Sequence, residues 1–118
     1  MKCIYVLPHS LPVVIEIENT YQNIIRLLDA DIFDYINMSD NVVMLCDDQG
    51  YQKPYQLPNC MYRNHQIMGP ILITGIDEED FCDLDETYID AFLDSFYRLS
   101  LEDSTYQLDT TITHDYIQ

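Results

Sequence analysis

Acidic side chains are the residues of this sequence best placed to do chemistry, and they gather between residues 77 and 94. Four consecutive acids occupy residues 77–80, and five more follow within fourteen residues. Carboxylates grouped in this way can bind hard cations such as calcium or a basic protein surface. The predicted partner-binding residues are Asp77, Glu78, Glu79, Asp80, Asp83, Asp85, Glu86, Asp90 and Asp94.

The spacing of these acids excludes a calcium loop of the EF-hand type. A loop that began at Asp77 would need glycine at its sixth position and glutamate at its twelfth. Those positions hold Cys82 and Tyr88. We therefore predict no metal site in this segment.

Three of the acids have the spacing of one helix face. Glu86, Asp90 and Asp94 recur at every fourth residue, so in a helix they form a stripe with about 6 Å between neighbours. Successive phosphates of a nucleic-acid strand are separated by a broadly similar distance. The stripe therefore favours a surface that imitates a phosphate backbone. The plain alternative is a solvated helix face with an acidic start.

The net charge of the chain is concentrated in its last third. The 118 residues include twenty-one acids and five bases, for a formal charge of −16. Thirteen acids and one base, Arg98, lie from Asp77 onward, so that part carries −12 and the first seventy-six residues carry −4. Such a field repels nucleic acids and anionic membranes and attracts basic surfaces. General solubility or a salt-adapted host would also explain an acidic chain, but a salt-adapted host predicts evenly spread acids.

Cysteine and histidine form no recognisable zinc or catalytic pattern. The four cysteines include no Cys-x-x-Cys pair and the three histidines are scattered, so a zinc site is poorly supported. Cys46 with His65, or His9 with nearby acids, would be a catalytic pair only if the fold joined them. The three glycines form no phosphate-binding loop. We predict no enzyme activity, no catalytic residue and no cofactor.

Apolar periodicity predicts the strands. Residues 47–57 are predicted as a loop, and residues 59–68 as a short helical turn or an irregular segment. The polar turn Ser39-Asp40-Asn41 predicts a hairpin, and Gly75 is predicted to end the last strand. Strands are predicted over residues 2–7, 13–18, 31–38, 42–46 and 71–74.

Two helices complete the predicted domain. The first covers residues 20–29, with Asn19 or Thr20 as its cap, and the second covers residues 85–99. The apolar face of the second helix consists of Ile89, Phe92, Leu93 and Phe96.

The order of these elements predicts one α+β domain over residues 1–98. Its mainly antiparallel sheet should contain about four to five strands, with the two helices packed on one face. Residues 99–118 are predicted to form a C-terminal extension, either an edge strand or a loose tail. The alternation in this extension falls on Leu108, Thr110 and Ile112.

Several blocks of the chain resemble a small domain-of-unknown-function family carried by phages, plasmids and their bacterial hosts. The strand, proline turn and Glu-Ile-Glu strand at the start are similar, as are Cys46-Asp47-Asp48-Gln49-Gly50 and Leu57-Pro58-Asn59. The most specific block is Gly69-Pro70-Ile71-Leu72-Ile73-Thr74-Gly75-Ile76-Asp77-Glu78-Glu79-Asp80-Phe81, followed by Leu84-Asp85-Glu86. The resemblance covers roughly residues 2–98. It implies no catalytic residue, because the family has no established reaction, and it favours an accessory or host-takeover role.

Charge and resemblance together suggest an anti-defence inhibitor encoded by a phage or mobile element. Its acidic, DNA-mimicking face would bind the basic nucleic-acid-binding groove of a defence protein, as an anti-CRISPR protein on an RNA-guided nuclease or an anti-restriction protein would. The protein is not expected to contact nucleic acid or a membrane directly. It is expected to be a monomer or a small homo-oligomer. The alternative is a nucleotide-binding accessory protein, such as a sponge for a signalling nucleotide, whose ligand would need Arg26, Lys53 or Arg63.

The expected location is the cytoplasm, which would be that of the host cell if a phage encodes the chain. No signal-peptide pattern occurs at the start, and no apolar run approaches the ~18 residues of a membrane span. Each cysteine has apolar neighbours, which favours buried free thiols in a reducing compartment.

Overall fold

The computed structural model describes residues 1–100 and 106–107, with the side chains of residues 1–95. The helices within those residues are α1 (Tyr21–Leu28) and α2 (Glu86–Ser100), and a short 3-10 turn covers Gly50–Gln52. The strands are β1 (Lys2–Val6), β2 (Val13–Glu16), β3 (Phe33–Ser39), β4 (Val42–Asp47), β5 (Pro58–Tyr62), β6 (His65–Met68), β7 (Ile71–Asp77), β8 (Asp80–Cys82) and β9 (Tyr106–Gln107).

Six strands form an antiparallel main sheet. Its order is β2-β1-β7-β4-β3, and β8 pairs with the last residues of β7. A second sheet contains β5, β6 and β9, with β9 parallel to β5. The α+β class and the mainly antiparallel pairing are confirmed, whereas the predicted number of strands is too low. The strands that lie outside the five predicted segments are β5, β6, β8 and β9.

The two helices lie on opposite faces of the main sheet, so the prediction that both pack on one face is wrong. Side chains of neighbouring strand residues point to opposite faces, and residues 42–46 are apolar throughout, so both faces need a cover. On one face, α1 packs in a cluster formed by Cys3, Ile24, Leu28, Val43, Leu45 and Leu72. On the other face, α2 contributes Ile89 and Phe92 to a second cluster. The main sheet contributes Ile4, Val42, Met44, Ile71 and Ile73 to it, and the small sheet contributes Cys60, Tyr62 and Ile67.

Local signals place the helices correctly. Thr20 caps α1, because its Oγ1 accepts a hydrogen bond from the Asn23 N–H at 3.2 Å. The helix ends at Asp29, whose backbone is left-handed and whose N–H returns to the Arg26 carbonyl. In α2, Ile89 and Phe92 are buried as the apolar face predicts. Both helices and four of the five predicted strands have ends within two residues of the prediction.

The hairpin of β5 and β6 corrects the prediction of a helical turn or irregular segment for residues 59–68. Its two-residue turn is Arg63-Asn64, and both residues have positive φ, at 50° and 67°. That pattern belongs to a type I′ turn, which usually contains glycine or asparagine. Because arginine occupies the first turn position, the sequence does not show the glycine or asparagine pattern by which such a turn is predicted. The hairpin is further fixed by Asn59, whose Nδ2 donates to the carbonyls of Val6 and Gly69, each at 2.8 Å.

Gly75 does not end β7, which continues to Asp77. A Cβ at position 75 would lie 2.4 Å from the Asp83 carbonyl oxygen. Glycine is therefore needed there for the close approach of the segment after β8.

The predicted hairpin of β3 and β4 is confirmed, with a bulge between Asn37 and Ser39.

Part of the predicted C-terminal extension lies outside the described residues, including Leu108, Thr110 and Ile112. Within the described part, Tyr106 and Gln107 form β9. None of the helices in the described ranges combines the length and apolar character that crossing a membrane requires.

Candidate acidic binding surface

The first four predicted binding residues form the tip of the β7–β8 hairpin, which we call the acidic tip (residues 77–80). Asp77 pairs directly with Asp80 across the two strands, and Glu78 and Glu79 form the turn between them. All four residues are exposed. Like charges directly opposite each other destabilise an antiparallel pair, on the order of 0.2–1 kcal/mol. The acidic tip therefore costs the fold some stability.

The turn of the acidic tip contains a second unfavourable feature. Glu78 has a φ of 57°, in the left-handed region that favours glycine. Among the two turn residues it alone has positive φ, as at the first position of a type II′ turn. A glutamate at this position adds charge where backbone conformation would select glycine.

The next three acids connect β1 to the start of α2. Lys2 donates its backbone N–H to Asp83 Oδ1 at 2.8 Å, and its ammonium group forms an ion pair with Glu86. The hydrogen bond to Glu86 raises the pKa of Lys2 above its ordinary value. Asp85 caps α2 through its Oδ1, which accepts the Thr87 N–H at 2.9 Å. Asp83, Asp85 and Glu86 thus have structural contacts of their own.

Six of the nine acids line two neighbouring grooves beside α2. The first groove has a volume of about 420 Å³, and the second, along the helix, about 450 Å³. Thr87 lines both grooves, so they form one continuous surface, which we call the α2 grooves. The first contains Asp77, Asp83 and Asp85, and the second contains Glu86, Asp90 and Asp94. Glu78, Glu79 and Asp80 continue from Asp77 around the acidic tip.

Four aromatic rings form a row on the α1 side of the sheet, and sequence reasoning missed it. Ring centroids are 5.6 Å apart for Tyr21 and Phe33, 6.0 Å for Phe33 and Phe81, and 6.5 Å for Phe81 and Tyr35. We call these residues the aromatic row. Its members come from α1, β3 and β8, so only tertiary structure joins them. The alternation of Phe33 and Tyr35 along one strand was the available signal.

A third groove, of about 420 Å³, holds two of the five bases of the chain. It is lined by Arg26 and Lys53 together with Tyr55, Asp29 and Asp31. Both bases already have intramolecular partners. Lys53 Nζ lies 2.7 Å from Asp47 Oδ2 and donates to the Asp29 carbonyl at 2.8 Å, and Arg26 donates to Asn23 at 2.7 Å.

Arg63 is separate from that groove. Its guanidinium carbon lies 5.0 Å from the ring centroid of Tyr62, and it donates to the Met38 carbonyl at 3.5 Å. Of the three bases named for the nucleotide alternative, Arg26 and Lys53 line one groove and Arg63 lies elsewhere.

The cysteine environments oppose nucleophilic chemistry. Burial raises the pKa of Cys3 and Cys46 to about 11 and that of Cys60 to about 12, and it also raises the pKa of Cys82. A raised pKa leaves little thiolate at neutral pH. All four are free thiols. Within the described residues, no group of three or more histidine, cysteine or acidic side chains is arranged to hold a metal ion.

Comparison with known proteins identifies a family and no established activity. The model of a domain of unknown function, DUF3846, matches residues 1–97, which contain the acidic tip, the predicted stripe and the aromatic row. No curated protein and no solved structure matches the chain. The resemblance to a family of unknown function is confirmed: the chain belongs to the DUF3846 family.

Proposed function

We propose that this protein binds a basic surface of another protein through the acidic tip and the α2 grooves. The proposed partner is a nucleic-acid-binding protein of a host defence system, such as an RNA-guided nuclease or a restriction enzyme. The carboxylates would occupy the partner's basic groove in place of a phosphate backbone. The phage and mobile-element setting that the resemblance implies supports this choice of partner, which would be met in the cytoplasm.

The observation that carries the proposal is the pairing of Asp77 with Asp80 at a tip whose turn is also acidic. None of these four side chains forms an ion pair with a base within residues 1–95. A lysine or arginine from a partner would relieve their repulsion and form charge-assisted hydrogen bonds. The charge that destabilises the free hairpin thus becomes favourable in the complex.

Competition with DNA on purified defence nucleases tests the proposal. The protein should displace labelled DNA from its target nuclease, and the displacement should weaken steeply as ionic strength rises. Neutralising residues 77–80 with asparagine and glutamine should weaken displacement by about tenfold or more, since each hydrogen bond to a charged group contributes about 1.5–3 kcal/mol. A matched control neutralises four exposed acids elsewhere, namely Glu16, Glu18, Asp40 and Asp48.

Equal effects of the two four-residue variants would reject the acidic tip as the binding site, because both remove the same net charge. A second variant neutralises the stripe with Glu86→Gln, Asp90→Asn and Asp94→Asn. It should also weaken displacement, and its melting temperature must be compared with the wild type because Glu86 pairs with Lys2.

The second candidate function is that of a nucleotide-binding accessory protein. The groove that contains Arg26, Lys53 and Tyr55 favours it, since two bases and an exposed ring could hold a phosphate and a nucleobase. Asp29 and Asp31 line the same groove and repel phosphate, which makes this the weaker candidate. Thermal-shift measurements with a panel of nucleotides would test it. Stabilisation by a nucleotide, without a salt-sensitive protein partner, would favour this function over the first.

A further inference from the structure

We infer that the aromatic row (Tyr21, Phe33, Tyr35 and Phe81) is an arginine-binding contact that anchors the basic partner beside the acidic tip. This inference rests on the proposed function and deepens it, because it names the side chain that the partner presents. The acidic tip would attract the partner at long range. The aromatic row would hold it by short-range contact.

The two end residues of the aromatic row are accessible to a partner. Tyr21 and Tyr35 at its two ends are each 50 % exposed, and the neighbouring Ile32 is 54 % exposed. The two phenylalanines between them are half-buried and pack against the α1 cluster. Exposed tyrosines that pack on half-buried rings are typical of residues that contribute strongly to protein–protein binding.

Hydrogen bonds hold the aromatic row in place. The Asn19 side chain donates to the Phe81 carbonyl at 2.8 Å, and the Tyr21 hydroxyl donates to the Asp31 carbonyl at 2.9 Å. The backbone N–H of Tyr35 donates to Asp34 Oδ1 at 2.8 Å. That hydrogen bond occupies one backbone donor of β3, which lies at an edge of the main sheet. A site whose rings are already positioned loses less entropy on binding.

Charge identifies the occupant of the aromatic row. Asp31, whose carbonyl accepts the Tyr21 hydroxyl, is an exposed acid at one end of the row, and Asp34 Oδ1 lies 2.8 Å from the backbone nitrogen of Tyr35 at the other end. No lysine or arginine occurs in residues 27–52 or 64–97, the segments that supply three of the four rings. Such a surface repels anions and, at a net charge of −16, a second copy of the chain. It fits a cation that can also lie flat on a ring.

Arginine meets both requirements better than lysine. Its guanidinium group is planar, stacks on aromatic faces and can direct its fork of N–H donors at a carboxylate. Lysine presents a compact, strongly hydrated charge without a flat face. The partner side chain at the aromatic row is therefore assigned as arginine. Because the aromatic row and the α2 grooves lie on opposite faces of the main sheet, this arginine belongs to a part of the partner that reaches past the acidic tip onto the α1 side.

Two short peptides separate the contributions of charge and ring. Octa-arginine and octa-lysine carry the same charge, and each is titrated into the full chain while NMR follows backbone amides and aromatic ring signals. Octa-arginine should bind about two- to five-fold more tightly than octa-lysine. It should also shift the ring signals of Tyr35 and Phe81, whereas octa-lysine should mainly shift the amides of residues 77–80.

Variants of Tyr35 decide whether the ring itself matters. Tyr35→Leu keeps an apolar side chain on the strand but removes the ring, and should abolish the preference for octa-arginine without changing the salt dependence. Tyr35→Phe keeps the ring and should retain the preference. Tyr51→Leu is the matched control, because Tyr51 is 71 % exposed and bonds through its hydroxyl to the Gln66 carbonyl in the small sheet.

Failure of the inference is distinguishable from failure of the proposed function. Salt-sensitive binding of both peptides, with equal affinity in wild type and Tyr35→Leu, would overturn the aromatic row as the arginine contact and leave the acidic surface standing. Absence of binding by either peptide would overturn both. Loss of the arginine preference in Tyr35→Leu alone, with Tyr51→Leu unchanged, is the result that we expect.

Discussion

Asp77 lies directly opposite Asp80 in the β7–β8 pair, so the tip of this hairpin holds two carboxylates at one rung of the sheet. Glu86, at the start of α2, instead has the ammonium group of Lys2 as its partner. The fold therefore compensates charge at the start of α2 and leaves it uncompensated at the acidic tip. This contrast leads to predictions in which stability and binding change in opposite directions.

Replacing Asp80 with asparagine should stabilise the protein. The change removes one of two like charges at a directly opposed pair, so the free energy of unfolding should rise by about 0.2–1 kcal/mol. Urea denaturation of wild type and Asp80→Asn at low salt measures the difference, which should shrink at high salt. Glu18→Gln, an exposed acid on the N-terminal side, should change stability less. A stability loss in Asp80→Asn would contradict the repulsion.

Glycine should be tolerated at the first residue of the acidic turn and not at the second. Glu78 has positive φ, and a left-handed L-residue costs about 1–2 kcal/mol, of which the flexibility of unfolded glycine offsets about 0.4–1 kcal/mol. Glu78→Gly should therefore be neutral or stabilising by up to about 1 kcal/mol. Glu79→Gly removes the same charge at a residue without positive φ and should destabilise. Thermal melts of the pair test this, and equal melting temperatures would refute the role of φ.

Lys53→Met should destabilise the fold through a carboxylate left without its base. Asp47 has a side chain only 1 % exposed, Lys53 Nζ lies 2.7 Å from its Oδ2, and no described hydrogen bond reaches that oxygen. Loss of one partner of a buried pair costs about 3 kcal/mol. The double variant Asp47→Asn with Lys53→Met should recover part of the loss. Chemical denaturation of the wild type, Lys53→Met, Asp47→Asn and the double variant would show this. Additive losses would mean that the two groups do not interact.

Alkaline pH should destabilise the protein because of its buried thiols. Burial raises the pKa of Cys60 from 9.0 to about 12 and that of Cys3 and Cys46 to about 11. Above pH 9 the unfolded chain therefore loses thiol protons that the folded chain keeps, which favours unfolding. The free energy of unfolding should fall between pH 9 and about 11, and the fall should be smaller in Cys60→Ala. A flat profile would contradict buried thiols.

Thiol labelling checks the same burial at neutral pH. Cys82 is half-buried whereas the other three cysteines are buried. A thiol reagent should therefore modify Cys82 first in the folded protein and the remaining three only as the protein opens. Mass spectrometry of the labelled peptides gives the order. Early modification of Cys60 would show that the core between the main and small sheets is not closed.

Local patterns in the sequence determined the fold class, the positions of most elements and the concentration of charge. Alternating residues in β2 and β3, the dense apolar run of β4 and the cap at Thr20 act within a few residues of each other, so their effects can be read from the chain. The grouping of acids at residues 77–94 is likewise a property of composition. The predicted acids also lie near one another in the structure. Six of them precede α2 in residues 77–85, and the other three lie on α2 itself.

Tertiary structure alone decided which faces and partners these elements have. The placement of α1 and α2 on opposite faces depends on strand order, and the compensation of Glu86 depends on Lys2, which is eighty-four residues away in the chain. The aromatic row exists only because the β7–β8 pairing brings Phe81 to Phe33 and Tyr35. Side-chain periodicity encodes which residues are apolar. It does not encode the register and order of strands, because those follow from contacts between distant segments and from the free energy of the whole core.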